Sequence, residues 1–194
     1  MFIEQQVGMI AISYLGRVIG YDRNMLFFNH HAYWDRFSEV TDDSILIMGN
    51  RTFNLIPKKI LHKKPKHVLS RHAQGYYPDT QWFGDFNDAL LACPVDAKIW
   101  IVGGLEIFNL ALPLRIPDFV DLTIVERTYI PPMQDPPITI KQKVERLDAI
   151  PLDYSIDFEY ENPEDETLLH RRYFLRKKKG TKSFINELRE KVSG

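Results

Sequence analysis

Two periodicities divide the chain. Short uninterrupted apolar runs alternate with stretches whose apolar residues recur every three or four positions. The first run, residues 7–14 (VGMIAISY), predicts a strand covered on both faces. Residues 44–48 (SILIM), 67–70, 98–102 (KIWIV) and 120–125 (VDLTIV) predict further buried strands. Residues 157–160 and 168–176 predict a late antiparallel pair. Between the strands, residues 30–40 hold Tyr33, Trp34 and Phe37 at helical spacing. Residues 52–56 predict a short helix stopped by Pro57, residues 85–92 a helix capped by Asp85, and residues 105–112 a helix stopped by Pro113. Glycines bracket residues 16–20, which predict a turn or mobile loop, and the prolines at 131, 132, 136 and 137 predict another loop. This alternation implies an α/β fold with a mostly parallel sheet covered on both faces.

A length of 194 residues suits one domain with a sizeable core. We place it at residues 1–176. Residues 177–194 form a tail that opens with a basic run and continues with Phe184, Ile185, Leu188 and Val192 on one helical face. That stripe is expected to pack on the body or on another chain, which makes self-association or a partner contact possible there. The 25 Lys+Arg and 26 Asp+Glu give a net charge of -1, which argues against the chain as a whole being a nucleic-acid-binding polycation. Cys93 is the only cysteine, so neither a disulfide nor a cysteine-rich metal site is expected. His30, His31, His62, His67, His72 and His170 show no metal-ligand spacing. No apolar run approaches the ~20 residues of a membrane span, and the N-terminus lacks the basic start of a signal peptide. A cytoplasmic location is the expectation.

Three glycine- or serine-marked turns carry the chemistry. In the run 101–108 (IVGGLEIF), Gly103 and Gly104 separate a strand end from a helix start. Such a turn lets a ligand approach the backbone, and free helix N–H groups suit phosphate. Read alone, a Gly-Gly pair is a tight turn. In the run 47–53 (IMGNRTF), Gly49 opens a similar turn beside Asn50, Arg51 and Thr52. Ser70 and Arg71 follow a third strand and suit a ribose phosphate. All three turns fall at predicted carboxyl ends of strands, where open α/β sheets bind ligands.

Taken in order from about Val7 to Arg176, these pieces resemble the dihydrofolate reductase family. The resemblance includes the Val18-Ile19-Gly20 segment, the Gly49 and Gly103-Gly104 turns with Glu106 and Ile107, Leu122-Thr123, and the aromatic strand around Tyr173-Phe174. It implies an eight-stranded mixed sheet with flanking helices and an NADPH site. Gly49, Asn50, Arg51, Thr52, Ser70 and Arg71 would hold the cofactor's phosphates. Gly103, Gly104, Glu106 and Ile107 would border the pyrophosphate and nicotinamide. Ala11 and Ile12 would lie beside the nicotinamide and pterin rings, with Ile19 and Gly20 closing over them. Phe28, Phe37 and Thr123 would meet the substrate, and Lys64 or a neighbouring lysine would attract its carboxylate tail.

The substrate half departs from the family pattern. Phe27-Phe28 stands where the family has Pro-Trp. Counting back four from Phe37, where the family has a carboxylate, gives Tyr33, or Ala32 if the preceding loop has no insertion. Tyr33 offers a hydrogen bond but no charge near pH 7. Asp35 lies roughly 200° further round the helix and reads as a solvated charge, with Glu39 a further candidate. Tyr33 and Thr123 are therefore the groups expected to touch the reacting ring. The resemblance implies NADPH-dependent reduction of dihydrofolate to tetrahydrofolate. The alternatives are reduction of another pterin or a pyrimidine on the same fold, and a non-catalytic binding or structural role.

Overall fold

The computed structural model describes residues 5–14, 18–21, 24–25, 31–72, 75–125, 144–146, 150–161, 168–176 and 183–193. The strands are β1 (Val7–Tyr14), β2 (Val18–Tyr21), β3 (Asn24–Met25), β4 (Ile45–Gly49), β5 (Lys66–Leu69), β6 (Thr80–Phe83), β7 (Ile99–Gly103), β8 (Phe119–Val125), β9 (Val144–Arg146), β10 (Tyr154–Glu161) and β11 (Leu168–Leu175). The helices are α1 (His31–Val40), α2 (Asn50–Leu55), α3 (Lys58–Leu61), α4 (Phe86–Leu91), α5 (Leu105–Ala111) and α6 (Phe184–Ser193).

Eight strands form one path in the order β10-β11-β8-β1-β7-β4-β5-β6. From β8 to β6 neighbours run parallel, while β11 is antiparallel to both β8 and β10. This is a mixed sheet flanked by helices. Three short strands lie off that path, with β2 pairing to β1, β3 and β9.

Side chains alternate across the pleat and build two cores. Ile10, Ile12, Leu46, Met48, Val68, Trp100 and Val102 face α1, α2 and α3, meeting Tyr33, Phe37, Phe53 and Leu61. Met9, Ala11, Ile47, Ile99 and Ile101 face α4 and α5, meeting Phe86, Leu90, Ile107 and Phe108. Gly8 lets the Trp100 and Phe119 rings meet edge-on at 5.1 Å across β1. A Cβ there would lie 2.7 Å from Phe119 and 2.8 Å from Trp100.

Polar groups interrupt the α1-side core in two cross-strand rows. Ile10, Asp121 and Arg172 form one, on β1, β8 and β11. Asp121 is 1% exposed, and its carboxylate accepts from Arg172 Nη2 and from Arg36 Nη2 of α1, each at 2.7 Å. Ile12, Thr123 and His170 form the next, with Thr123 Oγ1 2.9 Å from His170 Nδ1. Burial, then the nearby Arg36 charge, holds His170 down to about 4, although Asp121 pulls the other way.

Several sequence expectations change. Residues 18–20 join β2 because Val18 and Gly20 pair with β9 and Tyr14 pairs with Val18. Residues 80–83 form an edge strand that their mixed polarity concealed. Residues 58–61 are helical within the lysine-rich segment. β10 begins at Tyr154, before the expected start. Asp85 does cap α4, accepting from the backbone N–H of Asn87 and of Asp88. The tail helix docks on the body: Ile185 is buried and Arg189 donates to the Cys93 carbonyl at 2.7 Å. Val192 does not join that contact and is 69% exposed. Cys93 is buried, which pushes its thiol up to about 12 and leaves it unreactive. The loop at 130–137 and the basic run at 177–179 lie outside the described residues.

Two stability predictions follow from the buried polar groups. Asp121→Asn removes the buried charge that both guanidiniums share and is expected to cost on the order of 3 kcal/mol in chemical denaturation. Unchanged stability would show that the triad does not hold α1 to the sheet. His170 and the equally buried His67 are both held below the ordinary histidine value and are neutral in the folded chain at pH 7. Below about pH 6.5 the unfolded chain binds protons that the folded chain refuses, so the melting temperature falls between about pH 6.5 and 4. His170→Asn is expected to flatten that slope, which thermal melts across the range will read.

Candidate active site

A cavity of about 970 Å³ opens along the carboxyl ends of β4, β5 and β7. That is at the upper end of the ~300–1,000 Å³ range for ligand pockets. The end of β1 forms part of its wall through Ala11 and Ile12, β2 adds Ile19, and α1 adds Tyr33.

Gly49, Asn50, Arg51 and Thr52 line it from the β4–α2 turn, and Ser70, Arg71 and His72 from the end of β5. Gly104, Glu106 and Ile107 line it from the β7–α5 turn. The three turns converge because β4 lies between β5 and β7. Gly49 and Gly104 occupy the N-cap positions of α2 and α5, and neither helix has a side-chain cap. A Cβ at Gly104 would come within 3.0 Å of Thr52 Oγ1, so the two turns touch. Gly103 has a φ of 107°, a conformation that favours glycine, and its peptide to Gly104 is cis. A Cβ at Gly103 would strike the Phe108 ring at 2.8 Å.

Tyr33 stands at the α1 side of the cavity. Its ring lies 5.0 Å from Trp34 and 6.2 Å from Phe37 between centroids. Burial raises its hydroxyl well above the ordinary tyrosine range, and the Asp121 charge adds to the rise. Tyr33 is therefore a neutral hydrogen-bonding group at any ordinary pH. Asp35 and Glu39 are exposed on α1 and supply no carboxylate to this end.

The structure brings together Ala11, Ile12, Ile19, Tyr33 and the predicted phosphate-side residues from 49 to 52, 70 to 71, and 104, 106 and 107. Gly20 and Gly103 lie next to lining residues without lining the cavity themselves. Phe37 is fully buried beneath Tyr33. Thr123 is buried one strand behind Ile12. Lys64 is not at the cavity, which departs from the expectation of a substrate-tail contact. Its ammonium instead donates to the Ser38 and Thr41 carbonyls at the end of α1, and Asp42 lies 3.9 Å away. Lys58 and Lys66 likewise donate to the Phe53 and Leu61 carbonyls. Phe27 and Phe28 lie outside the described residues.

Sequence reasoning missed the buried group behind the cavity wall: Arg36, Asp121, His170 and Arg172. One signal was present, since Asp121 is a lone acid within an otherwise apolar strand. His170 carried no signal of its own, because its partner Thr123 is set by the β8–β11 register. Among the described residues, no cluster of three His, Cys, Asp or Glu is placed to hold a metal. No described helix is long and apolar enough to cross a membrane.

Comparison with known proteins agrees with this architecture. The family model described as Dihydrofolate reductase matches residues 6–147. A dihydrofolate reductase of Mycobacterium leprae is 30% identical over 81 residues, which is 41% of this chain and 49% of that protein. A dihydrofolate reductase of Mycobacterium tuberculosis is 32% identical over 79 residues, 40% of this chain and 47% of that protein. The chain thus spans about half the length of the curated relatives it matches. The family match takes in β1 to β9, with all three cavity-lining turns and the wall formed by Ala11, Ile12 and Tyr33. On that match the chain belongs to the dihydrofolate reductase family.

Proposed function

We propose that this chain reduces dihydrofolate to tetrahydrofolate with NADPH. The observation that carries the reading is one cavity in which the Gly49, Ser70-Arg71 and Gly104 turns meet Ala11, Ile12 and Tyr33. The residues present fit the cofactor. A Cβ at Gly49 would meet nothing closer than 3.9 Å, so the backbone there is open to a ligand. Arg51 and Arg71 line the same space and supply the positive charge that a phosphate-rich ligand needs. Arg51, Thr52, Ser70 and Arg71 would hold the phosphates, and Gly104 would let the backbone approach the pyrophosphate. Glu106 is suited to accept from a ribose hydroxyl. When bound, NADPH supplies the hydride.

The chain's own contribution is orientation and exclusion of water. Ile12, Ile19 and Val102 give the cavity apolar walls. Tyr33 offers its neutral hydroxyl to the edge of a flat heterocycle. Among the described residues the acids lining the cavity are Asp85 and Glu106, away from α1, and in this reading water delivers the proton. In this reading the enzyme works in the cytoplasm on a small-molecule substrate. The neutral Tyr33 also favours a second reading, in which the ring reduced is another pterin or a pyrimidine.

The direct test is NADPH oxidation by the purified chain with and without dihydrofolate. Turnover that depends on dihydrofolate supports the reading, and NADPH binding without turnover shifts the substrate to another heterocycle. Arg71→Ala is expected to weaken NADPH much more than NADH, and equal losses in fluorescence titrations would remove Arg71 from the 2′-phosphate. Tyr33→Phe is expected to raise the KM for dihydrofolate roughly 2–10-fold, the worth of one neutral hydrogen bond, and to leave NADPH affinity unchanged. An unchanged KM would take Tyr33 out of substrate contact.

A further inference from the structure

We propose that the tail helix α6 sets the affinity of the cavity for NADPH: Arg189 and Ile185 are positioning residues that hold α4, and α4 holds the end of the cavity where Ser70 and Arg71 stand. This rests on the reading of the cavity as an NADPH site. It gives a role to a segment that lies outside the family match at residues 6–147.

The contacts run in series from the cavity to the tail. At the start of α4, Asp85 and Phe86 line the cavity beside Gly84. Asp85 also caps the helix, accepting from the Asn87 N–H at 2.7 Å and the Asp88 N–H at 3.4 Å, so this turn and the helix move together. The turn stands beside the arginine. Leu69 of β5 pairs with Phe83 of β6, and the Ser70 N–H donates to the Phe83 carbonyl at 2.9 Å. Ser70-Arg71 and Gly84-Asp85 therefore leave neighbouring strands at the same level, about 4.8 Å apart. A Cβ at Gly84 would meet nothing within 4 Å, so the turn takes its position from α4 and not from packing at the glycine.

α4 has six residues, too few to be stable by its own hydrogen bonds, and depends on its neighbours. His67 of β5 donates from Nδ1 to the Ala89 carbonyl at 2.7 Å. From α6, Arg189 donates to the Cys93 carbonyl at 2.7 Å, one residue past the C-cap Ala92, where helix carbonyls lack internal partners. Ile185, 1% exposed, joins the same core cluster as Phe86, Ala89, Leu90 and Cys93. Phe86 thus belongs both to the cavity wall and to the cluster that α6 covers. Coupling of this kind is reciprocal: if docked α6 strengthens NADPH binding, bound NADPH favours docked α6 by the same factor.

The test measures NADPH affinity of the full chain by quenching of tryptophan fluorescence, well below the melting temperature of each variant. Arg189→Ala and Ile185→Ala are each expected to weaken NADPH about 5-fold or more, the lower end of ordinary coupling between sites. Arg189→Lys is expected to restore most of the loss. Val192→Ala, on the exposed face of the same helix, is expected to change nothing. In the wild type, backbone hydrogen exchange of residues 184–193 is expected to slow by a similar factor when NADPH binds. Strand β10, at the far edge of the sheet from β5 and β6, is expected to keep its rate. The exchange measurement needs no variant and decides the matter if the substitutions prevent folding. NADPH affinity untouched by either docking substitution, an equal loss in Val192→Ala, or α6 exchange indifferent to NADPH overturns the inference alone. A wild type that binds no NADPH overturns the cofactor reading and the inference with it.

Discussion

The arrangement of the α1 side of the cavity depends on one buried carboxylate. Asp121 sits in the middle of β8, 1% exposed, and holds Arg36 of α1 and Arg172 of β11 together. Burying an acid is costly unless it is paired and hydrogen-bonded, and here both guanidiniums meet it at 2.7 Å. Three elements are fixed relative to one another as a result. Arg36 anchors α1 over the sheet, and with α1 comes Tyr33, three residues earlier and at the cavity. Arg172 lies one row from His170 on β11, so the same ion group sets the field around the Thr123–His170 pair.

The opposite side of the cavity rests on a different constraint, the close approach of two turns. Gly104 and Thr52 leave no space for a further side-chain atom between them, and Gly103 places its backbone against the Phe108 ring. These contacts bring the starts of α2 and α5 to one side of the cavity. The residues of the glycine turns are thus set by backbone geometry, whereas the α1 side is set by buried charge. The two halves can change independently. Substitution of Tyr33 for an acid alters the charge at one end without disturbing the glycine turns at the other.

That independence explains what was legible in the sequence. The apolar runs at 7–14, 45–49 and 99–103 are strands because they are covered on both faces, and continuous hydrophobicity reports that condition directly. The glycine turns were visible because they follow those runs immediately. β6 was missed because an edge strand of residues TQWF has no apolar run to announce it. β2 was missed because Gly16 and Gly20 marked the segment as a turn, while its pairing depends on β3 and β9, far off or weak in sequence. Lys64 was placed at the substrate by resemblance of position. The structure uses its charge on the carbonyls ending α1, a favourable place for a cation that spacing along the chain does not reveal.

The histidine pair shows why the remainder was hidden. Thr123 and His170 are 47 residues apart and meet only through the antiparallel register of β8 and β11. Shifting that register by one residue would turn His170 to the opposite face. The same shift would remove Arg172 from Asp121, and the desolvated acid would lose one of its two partners. The ion group that holds α1 in place therefore also selects the register that brings His170 to Thr123. Stability and the meeting of Thr123 with His170 behind Ile12 are in this way set by one choice of strand pairing.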